Sequence, residues 1–474
     1  MINNKGIPTI KKTVQGEDAS KFGAFPTGTR LTFRITMPRN FASSAPVLRI
    51  CPDGGSDTDI ASSFVSGDGI SDIFEVTVCP SELLGKEDGL LYYTFLFPNG
   101  ADTRFTSSVN NVDFELEAHD GYRFRLLIYR NDFSVPKWID GKVMYHIFVD
   151  RFLRGSGVVS YRKDDVIDED WKNGIPQYGE RAGAYVENNV FFGGNLWGIA
   201  EKLDYLKSLN IGVIYLSPIF EARSNHKYDI GNYLKIDGGF GGETAFDNLL
   251  KKASECGIQV ILDGVFNHTG DDSLYFDRYG NYGGKGAYGD PSSEYRDWYS
   301  FRDDGEYDCW WGVKILPRLN QNNEECRKFF TSPDGVGAHY IREGISGWRL
   351  DVADELSDSF LDEFRSSVKS VSNGNAIVIG EVWENAADKI SYGKRRRYLR
   401  GLQLDSVMNY PLRNGIIAFA GKEGNAEALY DALTELYGSY PRCVCDALMN
   451  IVGTHDTERI LTVLGGEPDA GYDN

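Results

Sequence analysis

The sequence predicts an α/β protein: a parallel (β/α)8 barrel of TIM type, incomplete at its carboxyl end and preceded by an antiparallel β-sandwich. Three observations carry that expectation. Residues 1 to about 133 fall into short stretches of alternating apolar and polar positions, separated by Gly, Asp, Pro and Asn, as in half-buried antiparallel strands. From about residue 140 onward, short apolar runs alternate with segments of helical period. Several of those runs end in Asp, Glu or His, as barrel strands do on the face where their tips converge.

Length and composition fit this plan. At 474 residues the chain can hold a barrel and an appended domain. A hydrophobic share of 41% with 25% charged residues is that of a soluble globular protein. The net charge of −19 disfavours nucleic acid and anionic membranes, whose phosphates it would repel, and is compatible with a neutral sugar. No apolar run reaches membrane-spanning length, and Met-Ile-Asn-Asn-Lys-Gly is not a secretory leader, so a cytoplasmic location is expected. The seven cysteines include no C-x-x-C pair and read as reduced thiols rather than a disulfide framework or zinc site.

In chain order, residues 29–37, 46–51, 70–78, 90–97 and 122–129 read as sandwich strands, and 131–138 as the link to a second domain over 134–474. Residues 143–152 read as the first barrel strand, 199–209 as an amphipathic helix, 212–216 as the second strand and 243–255 as the next helix. The apolar run 258–262 leads to Asn267 and His268. A Gly-, Tyr- and Asp-rich stretch over 269–312 is too long for an ordinary barrel loop and reads as a small inserted domain. Trp310 and Trp311 at its end suit either sugar stacking or core packing. Residues 401–410 and 448–456 are expected as the sixth and seventh strands, and the basic run 394–397 as a solvated helix face. No sequence remains for an eighth strand, which implies a shortened chain, a natural fragment or a partner that completes the barrel.

The strand tips hold the chemistry. Gly347-Trp348-Arg349-Leu350-Asp351 runs into a helical pattern, so Asp351 is expected at the carboxyl end of a strand. Arg349, two residues earlier, points to the same side. A cation so close is expected to keep Asp351 ionised, although a purely structural Arg–Asp pair would look the same. Glu381 ends the run 376–380, and His455 and Asp456 end the run from 448.

Together these tips resemble the hallmark segments of the α-amylase superfamily, glycoside hydrolase family 13, in the family's order. Leu316-Pro317-Arg318-Leu319-Asn320, the Trp after Glu381-Val382, and Gly-Thr-His-Asp-Thr-Glu-Arg resemble the neopullulanase and cyclomaltodextrinase branch. The resemblance implies a retaining α-glycosidase acting on α-1,4 bonds of maltodextrins, cyclodextrins or pullulan. Asp351 would be the nucleophile, Glu381 the acid and base, and Asp456 the stabiliser of the transition state. Tyr228, His226, His268, Arg349, His455, Asn267 and Trp383 would contact substrate. No cofactor is required on this reading. The loop 153–190 occupies the place where several relatives bind calcium, and Asp164, Asp165, Asp168 and Asp170 could supply oxygen ligands, but the relatives' spacing is not reproduced and a solvated loop is the alternative. The amino-terminal domain is similar to a carbohydrate-binding module, with a structural or dimerisation role the equal alternative; a homodimer through it is implied by resemblance only. Glu384 and Asp354 depart from residues common among relatives, His and Asn respectively.

Retention needs two carboxyl groups ~5–5.5 Å apart, which neighbouring strands ~4.8 Å apart make accessible. The like charges of Asp351 and Asp456 are expected to raise the pKa of Glu381 and keep it protonated for the first step. A non-catalytic glycan-binding scaffold, or a glucan transferase or isomerase, would share much of this pattern. All three carboxylates are present, which favours an enzyme.

Overall fold

Alternation in the amino-terminal region becomes two packed sheets, antiparallel except where Ala24–Pro26 pairs in parallel with Phe124–Tyr129. The structure is a computed structural model and describes residues 6–100, 102–181, 184, 186–421 and 424–465. The chain divides into two compact units, one formed by the residues up to Val135 with Trp383–Val452, the other by Pro136–Val382 with the residues from Gly453 onward.

In the first unit, one sheet runs in the order Glu17–Asp18, Thr9–Val14, Leu31–Pro38, Ser71–Val78, Ser63–Gly67. The other is centred on Gly89–Phe97, flanked by Val47–Pro52, Arg104–Ser108 and Phe124–Tyr129. Every second residue of Leu31–Pro38 (Leu31, Phe33, Ile35, Met37) is buried against Leu91, Tyr93, Phe95 and Phe97. Helices Tyr410–Ala420 and Ala426–Ser439 belong to the same unit. Arg125 pairs there with Asp388 at 3.0 Å and Glu435 at 2.6 Å.

Two expectations are corrected within this unit. The basic run 394–397 is not a solvated helix face. Tyr392 and Gly393, both at positive φ, reverse the chain so that Lys394–Arg395 pairs with Ile390–Ser391. Arg395 then reaches Asp53 at 2.7 Å and Arg396 is buried. The sixth strand is only Ser406–Val407, because Asn409 caps the following helix by accepting from Leu412 N at 3.2 Å.

The second unit contains five parallel strands in the order Val143–Ile147, Ile211–Leu216, Gln259–Gly264, Gly347–Leu350, Ile377–Gly380. Between them run Leu196–Glu201 and Leu203–Ser208, then Gly242–Cys256, then Glu324–Thr331 and Val336–Glu343, then Asp358–Val371. Helix starts are capped as the sequence allows: Asn195, Asn323 and Ser357 each accept a backbone N–H of the first turn. The helix expected over 199–209 is broken at Lys202, where φ is −101° and ψ 4°.

The expected seventh strand over 448–456 forms a single parallel bridge, Met449 to Met408. Past it, Thr454 Oγ1 accepts from Asp456 N at 3.2 Å and Thr457 Oγ1 from Thr454 N at 2.9 Å. These local bonds compete with a ladder and turn the chain. Among the described residues no helix is long and apolar enough to cross a membrane.

Register fixes the relation of the strand tips. Asp263 lies opposite Arg349, and Leu350 opposite Gly380, so Asp351 and Glu381 leave adjacent strands at the same level. The strands come close at their start: a Cβ on Gly347 would stand 2.2 Å from the Ile377 carbonyl oxygen. Gly347→Ala is therefore expected to force these strands apart and cost about 3 kcal/mol. A urea midpoint unchanged from the parent would contradict this tight contact.

Candidate active site

At the centre of the strand tips is the guanidinium of Arg349, wholly buried. Its Nη1 donates to Asp263 Oδ1 at 3.0 Å and to Asp351 Oδ1 at 2.8 Å, and its Nη2 lies 3.0 Å from Glu381 Oε2. One cation thus serves three carboxylates. Asp263 also accepts from the hydroxyls of Tyr215 and, at 2.9 Å, Tyr228. Glu381 Oε2 accepts from Val352 N at 2.7 Å. That bond requires the chain to turn sharply after Asp351, and Val352 does so at φ +38°, a left-handed conformation uncommon for a β-branched residue.

The electrostatics reverse one expectation. Burial pushes the Asp351 carboxyl well above the usual range; Arg349 opposes this, while Glu381 and Asp263 add to it. The cation does not hold Asp351 low, because it is divided among three acceptors and burial outweighs it. Partial burial raises Asp456 as well, with His455, 3.2 Å away, opposing. Burial lowers His146 to about 3, His268 to about 4, and His226 below its ordinary value. These imidazoles are neutral at pH 7, suited to neutral hydroxyl groups.

The other candidate residues fall into three places. Tyr228 Oη lies 2.6 Å from His455 Nε2, and the two rings stack with centroids 5.3 Å apart. His226 Nδ1 accepts from Tyr228 N at 3.1 Å. Their loop is fixed by the buried Lys227–Asp237 pair at 2.7 Å. Asn267 and His268 are buried beyond the third strand, and Tyr233 Oη stands 2.7 Å from the Val265 carbonyl and 2.8 Å from that of His268. The segment noted for its branch resemblance pairs with this loop: Leu319 N donates to Asn267 O at 2.9 Å and Thr269 N to Pro317 O at 3.1 Å. Asn267 Oδ1 and His455 Nδ1 are buried without a hydrogen-bond partner among the described residues. Trp383 belongs to the other unit, where it stacks on Tyr410 at 4.0 Å, and Glu384 pairs with Lys389.

Sequence reasoning did not single out Asp263, Tyr215 or His146. A carboxylate in the apolar run 258–264 was the available signal for Asp263. His146 stacks on Tyr215 at 4.7 Å and contacts Ser217 Oγ at 2.8 Å. The four aspartates weighed as calcium ligands do not converge. Asp165 accepts from Arg162 N, Asp168 from Asp170 N, Asp170 from Asn173 N, and Asp164 lies 3.7 Å from Arg223. Among the described residues no group of three or more His, Cys, Asp or Glu is disposed to hold a metal.

The catalytic-domain profile of the α-amylase family matches residues 146–471. The chain belongs to the α-amylase family. This α-amylase-family chain is 35% identical to an amylopullulanase of Thermoanaerobacterium saccharolyticum over 94% of its own length and 37% of the relative's. It is 37% identical to a cyclomaltodextrinase of Geobacillus thermopakistaniensis, over 71% of this chain and 53% of that one. The chain thus spans between about a third and about half of these relatives. A cyclic α-maltosyl-(1→6)-maltose hydrolase from Arthrobacter globiformis superposes with a TM-score of 0.58 at 32% identity, covering 70% of each chain.

Because Asp351 is raised by burial, the folded protein binds its proton more tightly than the unfolded chain does. Stability from this group is present at low pH and declines as pH rises above the ordinary aspartate range. Asp351→Asn is expected to stabilise the protein at pH 7 by about 1–2 kcal/mol, with the gain fading towards pH 4. Thermal unfolding of both proteins across that range checks it; a lower Tm for the variant at pH 7 would reverse the sign.

Proposed function

We propose that this chain is a retaining α-glycosidase that hydrolyses α-1,4-glucosidic bonds in maltodextrins, cyclodextrins or pullulan. The observation that carries the reading is one buried guanidinium shared by Asp351 and Glu381 at the ends of adjacent parallel strands. Adjacent strands favour the short carboxyl spacing of retention over the ~6.5–9.5 Å of inversion. Membership of the α-amylase family and the names of its relatives support the substrate class.

On this reading Asp351 attacks the anomeric carbon as the glycosidic bond breaks, and Glu381 delivers a proton to the departing oxygen. A covalent glycosyl-enzyme results. Water then donates a proton to Glu381 and attacks the same carbon, releasing the sugar from Asp351 with its original configuration. The surplus of carboxylates around Arg349 favours keeping a proton in the site for the first step. Tyr228, stacked on His455, offers its ring to the apolar face of the sugar. His226, His268, His455, Asn267 and Asp456 bond its hydroxyls.

Maltoheptaose and β-cyclodextrin provide the test. Asp351→Asn and Glu381→Gln are each expected to lose at least ~10³-fold in turnover, and nascent products seen by NMR are expected to be α-anomers. Undiminished turnover in Asp351→Asn, β-anomeric products, or a parent protein silent on all α-glucans would overturn the proposal.

A further inference from the structure

Trp311 is 79% exposed and sits at φ +47°, ψ +31°, where side-chain-bearing residues are rare. It is nonetheless held in place. Its Nε1 donates to Glu355 Oε1 at 3.0 Å, and Glu355, in the turn after Asp351, lies 3.4 Å from Arg318. Its ring stacks on Trp310, centroids 5.5 Å apart and planes 20° apart, and Trp310 lies 5.6 Å from the His268 ring at 33°. Trp310 Nε1 is itself buried without a hydrogen-bond partner among the described residues. A series of rings therefore leads outward from His268 and ends in an open aromatic face.

A glycine would occupy that backbone without strain, so the indole is kept there at a cost to the fold. Packing does not explain it, since most of its surface is in solvent. An anchored aromatic face in solvent suits the apolar face of a pyranose ring. We propose that Trp311 is a stacking platform for a glucosyl unit beyond the one held at Asp351 and Glu381, and that it selects α-glucans of several units over short ones. The proposal rests on the α-glucan reading above.

Calorimetric titration of the full chain carrying Asp351→Asn measures binding without turnover. Adding Trp311→Gly is expected to weaken maltoheptaose about tenfold, equivalent to ~1.4 kcal/mol, and maltotriose by less; Trp311→Phe should restore most of the loss. Trp311→Gly should melt close to its parent, because relief of the backbone offsets the lost contacts with Trp310 and Glu355. Equal maltoheptaose affinity with Trp or Gly at 311 would overturn the platform, as would a loss accompanied by a lower Tm, which marks a structural role. If the Asp351→Asn parent binds neither sugar, the α-glucan reading itself fails, and the platform with it.

Discussion

A single guanidinium, wholly removed from water, organises the candidate site. Arg349 could not be buried alone, since the desolvation of an isolated charge far exceeds what packing returns. It is tolerated because Asp263, Asp351 and Glu381 surround it. The converse also holds: three carboxylates this close repel each other without the cation between them. Each partner comes from a different relation to Arg349. Asp351 is two residues on along the same strand, Asp263 is its register partner on one neighbour, and Glu381 follows the neighbour on the other side. A parallel sheet of correct register is thus the condition for the cluster. The contact at Gly347, where two strands approach too closely for a side chain, belongs to the same requirement.

One cation against three carboxylates leaves the site with excess negative charge, and the surroundings answer with neutral groups. The hydroxyls of Tyr215 and Tyr228 donate to Asp263, and burial keeps both protonated by raising them well above their ordinary values. His146, His226 and His268 are driven neutral by burial. Such a site can hold a proton without holding a second cation, which is the state that acid-assisted bond cleavage needs. On the proposed reading overall acidity is no obstacle: a glucan is neutral, and hydroxyl, imidazole and aromatic groups would recognise it.

Much of this was legible in the residue order, and the failures share a cause. Period two placed Arg349 and Asp351 on one side of a strand, and terminal polar residues on apolar runs located Glu381, Asn267, His268 and His455. Alternation likewise gave five of the sandwich strands within a residue or two and missed the others, among them Thr9–Val14 and Arg104–Ser108. The state of Asp351 was misjudged because sequence shows the neighbour along the chain but not the carboxylates across it; Asp263 and Glu381 are 88 residues before and 30 after it. The basic run 394–397 was misread for a similar reason, its partner Asp53 lying in another part of the chain. The strand expected over 448–456 had the right apolar pattern. Short Thr side chains accepting from the backbone nearby decided its form.

Backbone strain completes the physical picture. Lys227, Trp311 and Val352 all adopt left-handed conformations, and each lies in a segment that bears or borders a candidate site residue. At Val352 the reason is geometric: the turn aims a backbone N–H at Glu381, which a relaxed strand continuation would direct elsewhere. At Lys227 the buried pair with Asp237 fixes the loop that carries His226 and Tyr228. Glycine would relieve the steric cost at each position, but it would forfeit the ion pair of Lys227 and widen the range of conformations open to each loop. Strain of this kind persists only where surrounding contacts over-determine the conformation. Here those contacts are the hydrogen bonds and ion pairs that set the candidate catalytic and binding groups at fixed distances, so rigidity and strain in this unit have the same source.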